Sequence, residues 1–211
     1  EDIRQRVDEL QNNLDAEGIK IKIHIGSEVF YLPNLVELRE NPLCTMGGGR
    51  YMLIEFSVLN LPNNYEDVLF KLKLNGVTPI IAHPERYREI QNNFELIAIF
   101  IDKGNIIQLD AGSLIGHFGI ETKKCVNKII SNGYFHLIGS DAHNDKKRNF
   151  CIEKLFEIDN SIIENYKKLI FNENPKNILN GESVSAINEY FDNEDKFSIW
   201  NRIIHKFKGS F

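Results

Sequence analysis

At 211 residues and 42% hydrophobic composition, the chain is long enough for one domain with a sizeable core. A formal charge of -5 without a strong basic block argues against nucleic acid as a partner. Cys44, Cys125 and Cys151 are odd in number and far apart, which argues against a disulfide framework or a zinc knuckle; with no signal-like or membrane-length apolar run, a cytoplasmic protein is expected.

In chain order, Asp2 and Gln5 have the spacing of a capping box, and Ile3, Val7, Leu10 and Leu14 recur at helical spacing up to Gly18. Ile19, Ile21, Ile23 and Ile25 alternate with polar residues, the period of a strand with one wetter face, and Ser27 to Tyr31 carries that strand or its exit loop. A short helical turn is expected between Pro33 and Pro42, and Gly47, Gly48 and Gly49 form a turn before the next strand. Strand 51–56 then leads to a helix near 64–75 with Val68, Leu69 and Leu72 as its apolar face and Gly76 as terminator. Strand 77–82 leads to a helix ending near Gly104, strand 106–110 to a helix from Ile120 to Asn132, and strand 135–139 to helical segments over about 150–180. This alternation predicts parallel strands covered by helices. Beyond Gly181 the chain turns polar. It ends in a stretch where Phe197, Trp200, Ile204 and Phe207 share one helical face, either packing back on the domain or docking on a partner or membrane surface.

Chemistry is expected where these strands end. Glu28, Glu55, His83 and the Asp141/His143 pair each fall at or near a strand's carboxyl end, about one strand–helix unit apart, and in parallel α/β folds that edge gathers the active-site loops. Glu55 stands inside an apolar run, where a carboxylate is costly unless paired or metal-bound. The other members have ordinary readings too: Glu28 as a solvated strand end, His83 as a satisfied loop histidine, and Asp-x-His as a chance pair. Their weight comes from the set. Oxygen and imidazole donors suit Mn, Fe, Zn or Mg better than thiolate-seeking ions. Arg86 and Arg148 follow the two histidines closely, where guanidiniums would clamp a phosphate; each is otherwise an ordinary salt-bridging arginine. Asp110 is a second-rank candidate for metal or water, Glu85 is expected to pair with an arginine, and His24, His117, His136 and His205 are expected to be structural or surface residues.

Four stretches carry a family resemblance: Gly26-Ser27-Glu28-Val29-Phe30-Tyr31, Tyr51 through Ser57, Pro79 through Tyr87 with its His83-Pro84-Glu85-Arg86, and Gly139-Ser140-Asp141-Ala142-His143-Asn144. With Asn174-Pro175 as part of a closing helix, the chain from Asp2 to Gly181 resembles the bacterial PHP-type (polymerase and histidinol phosphatase) protein-tyrosine phosphatases of capsule and exopolysaccharide clusters. The resemblance implies a distorted (β/α)7 barrel and up to three divalent ions, commonly manganese. Glu28 would bridge ions, with Glu55, His83, Asp141 and His143 as further ligands, and Arg86 and Arg148 would hold the substrate phosphate. It further implies hydrolysis by a metal-bound hydroxide, acting on the phosphotyrosine-rich tail of a membrane-associated tyrosine autokinase. The family's site also uses an amino-terminal His-x-His pair and a further His, which do not occur before Asp2. The expected organisation is therefore a phosphatase domain over 1–181, lacking its first strand–helix units, and a carboxy-terminal extension over 182–211. The rival functions are a small-ester phosphatase of the histidinol phosphate type and a catalytically silent partner-binding domain.

Overall fold

A computed structural model describes residues 2–146 and 148–191. Five strands form one sheet in the order β1 (Glu28–Phe30), β2 (Tyr51–Glu55), β3 (Thr78–Ala82), β4 (Ile106–Asp110) and β5 (Leu137–Gly139), and every neighbouring pair is parallel. The expected strand–helix alternation is therefore present. The helices are α1 (Asp2–Ala16), α2 (Tyr65–Leu74), α3 (Arg88–Asn92), α4 (Glu95–Asp102), α5 (Ala111–Leu114), α6 (Ile120–Ser131), α7 (Ser161–Asn165) and α8 (Asn174–Asn180). Among the described residues strand order never reverses, so these five strands hold no topological switch point of the doubly wound kind.

Period two along each strand sorts the side chains onto two faces. On one face Val29 lies opposite Ile54, Ile54 opposite Ile81, Ile81 opposite Ile107, and Leu109 opposite Ile138. These residues join Val68, Leu69 and Leu72 of α2, Phe100 of α4 and Val126 and Ile129 of α6 in the main core. The second face changes character along the strands. At the amino ends Tyr51, Ile80, Ile106 and Leu137 form a smaller apolar cluster closed by Ile178 of α8. Toward the carboxyl ends the same face carries Glu55 and Gln108, whereas Glu28, expected at a strand's carboxyl end, opens β1 and lies on that face opposite Leu53. The pattern thus builds an apolar floor beneath a polar rim.

One expectation at the amino end fails. Ile19 to Ile25 forms no strand: Ile21 is 58% exposed, and the segment is clamped to α1 by Gln11. Gln11 donates Nε2 to Ile21 O at 3.0 Å and accepts from Ile23 N at 2.9 Å. Alternation signals a strand only where a neighbouring edge supplies backbone partners, and a side-chain amide supplies them here. Within α1, Gln5 donates to Glu9 one turn on at 2.9 Å.

Beyond α8 the chain continues across the core. Ala186, Ile187 and Phe191 are buried, Ile187 N donates to Phe135 O at 2.9 Å, and Tyr51 Oη donates to Glu182 O. Gly133 (φ +65°) lies directly beneath this segment, where a β-carbon would stand 2.7 Å from Asn188 N. The aromatic stretch from Phe197 to Phe207 lies outside the described residues. Among the described residues no helix is long and apolar enough to cross a membrane.

His136, at the base of β5, is a structural histidine. Its Nδ1 accepts from Ile107 N at 3.0 Å, and Asn174 donates to its carbonyl at 2.7 Å. Burial pushes its imidazole down to about 3. Because the folded value lies below the unfolded one of about 6.5, the unfolded chain binds a proton that the native chain refuses in that window. This contribution to stability is complete above about pH 6.5 and is lost as pH falls toward 3, by up to about 1.4 kcal/mol per pH unit. Urea denaturation across that range should show a shallower pH slope for His136→Asn, which keeps an acceptor but not the titration.

Candidate active site

Each side chain of the candidate site is aimed by a local backbone decision at the polar rim. β3 ends at Ala82, and Pro84 disfavours the right-handed helical conformation for the residue before it. His83 takes the left-handed region instead (φ 31°, ψ 54°), while its N–H still bonds Gln108 O at 2.8 Å. The ring is only 2% exposed and turns back along the rim. Its Nε2 lies 3.1 Å from Glu28 Oε1 and 3.4 Å from Glu55 Oε1. Tyr87 fixes this arrangement from below: its hydroxyl donates to Ala82 O at 2.6 Å and accepts from Phe56 N at 3.0 Å, tying the ends of β2 and β3 together.

The ligand-capable atoms of Glu28, Glu55 and His83 all lie within 4.8 Å of one another. Burial pushes the Glu55 carboxyl up, and the charge on Glu28 adds to that. Burial alone would draw the His83 imidazole down, but its hydrogen bond to Glu28 and the carboxylate charge around it hold it above its ordinary value. Two acids crowded on one imidazole are a natural demand for positive charge. Two carboxylate oxygens and one imidazole nitrogen fit a divalent ion of the Mn, Fe, Zn or Mg type.

Beside this cluster lies an ion network. Arg86 reaches from the turn Pro84–Arg86 to both Asp110 and Asp141, the latter at 2.7 Å. Arg148 meets the same Asp141 oxygen. Asp110 is the last residue of β4 and also caps α5, accepting from Gly112 N at 2.8 Å. Asp141, just after β5, is the second non-glycine residue with positive φ, at 44°. Burial would raise its carboxyl, but Arg86 and Arg148 hold it well below the usual carboxylate range. The Phe118 ring covers the Arg86 guanidinium at 3.7 Å. His143, with its side chain 53% exposed, turns Nδ1 onto Asp141 O at 2.9 Å.

The seven residues picked from sequence therefore form two adjoining groups. Glu28, Glu55 and His83 converge, whereas Asp141 binds Arg86 and Arg148, and His143 stands at the mouth. The charges of Arg86 and Asp141 are both felt at Glu55, which places the groups on one rim. Asp141 is engaged by two guanidiniums, which explains why its oxygens are not with the other acids. Asp110 is a partner of Arg86. Glu85 does not pair with an arginine: it is wholly buried, accepts from Asp110 N at 3.0 Å, and burial pushes its carboxyl up. Phe118 escaped the sequence reading, although its place just past the β4–α5 corner puts it on the same rim.

A parallel sheet with acids, an imidazole and guanidiniums on its carboxyl edge defines an α/β protein with a candidate divalent-metal site. The chain belongs to the CpsB/CapC family of capsular polysaccharide synthesis, whose model matches residues 1–180. It is 34% identical over 181 residues to the tyrosine-protein phosphatase YwqE of Bacillus subtilis, covering 81% of this chain and 71% of that protein. It is 30% identical over 167 residues to the tyrosine-protein phosphatase CpsB of Streptococcus pneumoniae, covering 74% and 68% respectively. A crystal structure from work on YwqE and CpsB, described as unique metal-dependent tyrosine phosphatases, matches with a TM-score of 0.74 at 31% identity, over 87% of this chain and 74% of that one. The parallel sheet and its flanking helices are thus those of the YwqE/CpsB fold.

Proposed function

We propose that this chain is a metal-dependent protein-tyrosine phosphatase serving capsule or exopolysaccharide synthesis. The observation that carries this reading is the convergence of Glu28, Glu55 and His83 beside the Arg86–Asp141–Arg148 network. Similarity to the YwqE and CpsB phosphatases supplies the reaction class. The five-stranded sheet is read as part of a distorted (β/α)7 barrel, with the phosphatase domain over 1–181 and an extension over 182–211. Glu28, Glu55 and His83 would hold the first divalent ion, and Asp141 and His143 complete a site for up to three, with manganese as the first choice. Bound ions supply Lewis acidity and an activated water for in-line attack on phosphorus.

The chain's own residues do the rest. Arg86 and Arg148 present forked donors that match phosphate oxygens and offset the charge gathering on them. Asp110, already bound to Arg86, holds that guanidinium in place as a phosphate competes with Asp141 for it. The substrate in this reading is the phosphotyrosine tail of a membrane-associated tyrosine autokinase, met in the cytoplasm. All three cysteines are unpaired, consistent with a reducing compartment. None is needed in the chemistry, and burial raises Cys125 to about 12 and pushes Cys151 up, away from the thiolate form.

Chelation should abolish hydrolysis of a phosphotyrosine peptide, and added manganese should restore it. Replacing Cys44, Cys125 and Cys151 together by alanine should leave the restored rate within about threefold, since only thiolate nucleophiles would be lost. Loss of turnover in a folded triple variant would move the chemistry to a thiol and end this reading.

A further inference from the structure

A groove on the same rim adjoins the ion network through Arg86 but is lined by none of the candidate metal ligands. It encloses about 320 Å3, and its walls include Val58, Leu59, Arg86, Arg88, Phe118 and Ile120. Three segments build it: the loop after β2, the residues after β3, and the entry to α6. Arg88 N donates to Val58 O at 2.9 Å, fixing the first two walls together. The groove is continuous with the candidate phosphate site because Arg86 belongs to both, facing Asp141 on one side and the Phe118 ring on the other.

The lining is unlike an ordinary surface. Leu59 is 57% exposed and Ile120 63%, with Val58 exposed beside them. Large aliphatic side chains gathered in water around a concavity, rather than scattered singly, mark a surface that is covered in use. Arg88 is exposed and makes no ion pair among the described residues. The groove's own acid, Glu121, is paired with Lys124 at 2.9 Å. The groove therefore offers apolar walls and an uncommitted cation next to the arginine that faces the phosphate.

We propose that this groove seats the peptide residues flanking the phosphotyrosine, with Leu59 and Ile120 covering an apolar neighbour and Arg88 selecting an acidic one. The inference rests on the phosphatase reading above and assigns these three residues to peptide choice, not to hydrolysis. A phosphate gripped by Arg86 and Arg148 must send its aryl group and chain outward, and this is the apolar concavity that shares Arg86 with the grip. Charge complementarity favours an acidic over a basic flank.

The test measures kcat/KM of the full-length, manganese-loaded protein on p-nitrophenyl phosphate and on two phosphotyrosine peptides, one with acidic and one with basic neighbours. The double variant Leu59→Ser/Ile120→Ser should lose about tenfold on both peptides, equivalent to 1.4 kcal/mol, a scale that withdrawing two aliphatic contacts can supply. Its rate on p-nitrophenyl phosphate should stay within about twofold, which also shows that it is folded. Arg88→Glu should reverse the preference between the acidic and basic peptides. Variants that change peptide and small-ester rates in parallel, or change neither, overturn the proposal while leaving the phosphatase reading standing. A wild-type protein that hydrolyses none of the three substrates overturns both.

Discussion

His83→Ala is expected to lower kcat/KM on aryl phosphates by on the order of a thousandfold, with a matching loss of divalent-ion binding by calorimetry. The size follows from geometry. Among the described residues His83 is the one imidazole that touches both Glu28 and Glu55, so its removal takes away their shared nitrogen donor. Losing even an outer partner of a metal ligand costs about 10–100-fold, and losing a ligand itself should cost more. The fold should survive, because Tyr87 ties β2 to β3 through backbone atoms that the substitution leaves alone. A variant that binds manganese as the wild type does, yet has lost its rate, would show that His83 acts on substrate rather than on the ion. One that keeps its rate would remove the cluster from the chemistry.

Arg86→Ala should injure stability and catalysis together. The side chains of Arg86, Asp110 and Asp141 are only 10%, 2% and 9% exposed, so truncation strips the buried Asp110 of its guanidinium and leaves Asp141 to Arg148 alone. Breaking a buried pair from one side costs about 3–5 kcal/mol, which a urea midpoint will register. Loss of a charge-stabilising donor at the phosphate adds a fall of about 100- to 1000-fold in kcat/KM. Arg86→Lys separates the effects. An ammonium restores the charge between the two acids and should recover much of the stability, but it lacks the planar fork and the stacking on Phe118, so the rate should stay at least about tenfold down. Equal recovery of both would make Arg86 a structural cation only.

What could be read in the sequence followed from burial. Strands covered on both faces read as continuous apolar runs, which is why 51–56, 77–82 and 106–110 are plain in the sequence. An acid interrupting such a run, as Glu55 does, is conspicuous because water is not there to solvate it. β1 was harder: three residues give no period to read, and the stronger alternation at Ile19–Ile25 pointed to a strand that has no partner. The ion network was hidden for another reason. Its members come from the ends of β3, β4 and β5, and which acid meets which guanidinium is decided by side-chain reach, not by spacing. Thus Asp110 and Asp141 both lie at strand ends in sequence, yet one caps a helix and the other bridges two arginines. Phe118 left no trace, because an aromatic beside a glycine-rich corner is usual.

His83 and Asp141 are the only non-glycine residues with positive φ among those described, and both stand at the rim. Each such conformation costs on the order of 1–3 kcal/mol. That cost is held in place by the partners the strained residues reach, Glu28 and Glu55 for His83 and Arg86 and Arg148 for Asp141, so glycine at either site would relax the backbone and forfeit them. The two bent residues thus mark where the chain trades local backbone comfort for aim, and loosening either should cost the site more than it gains the fold.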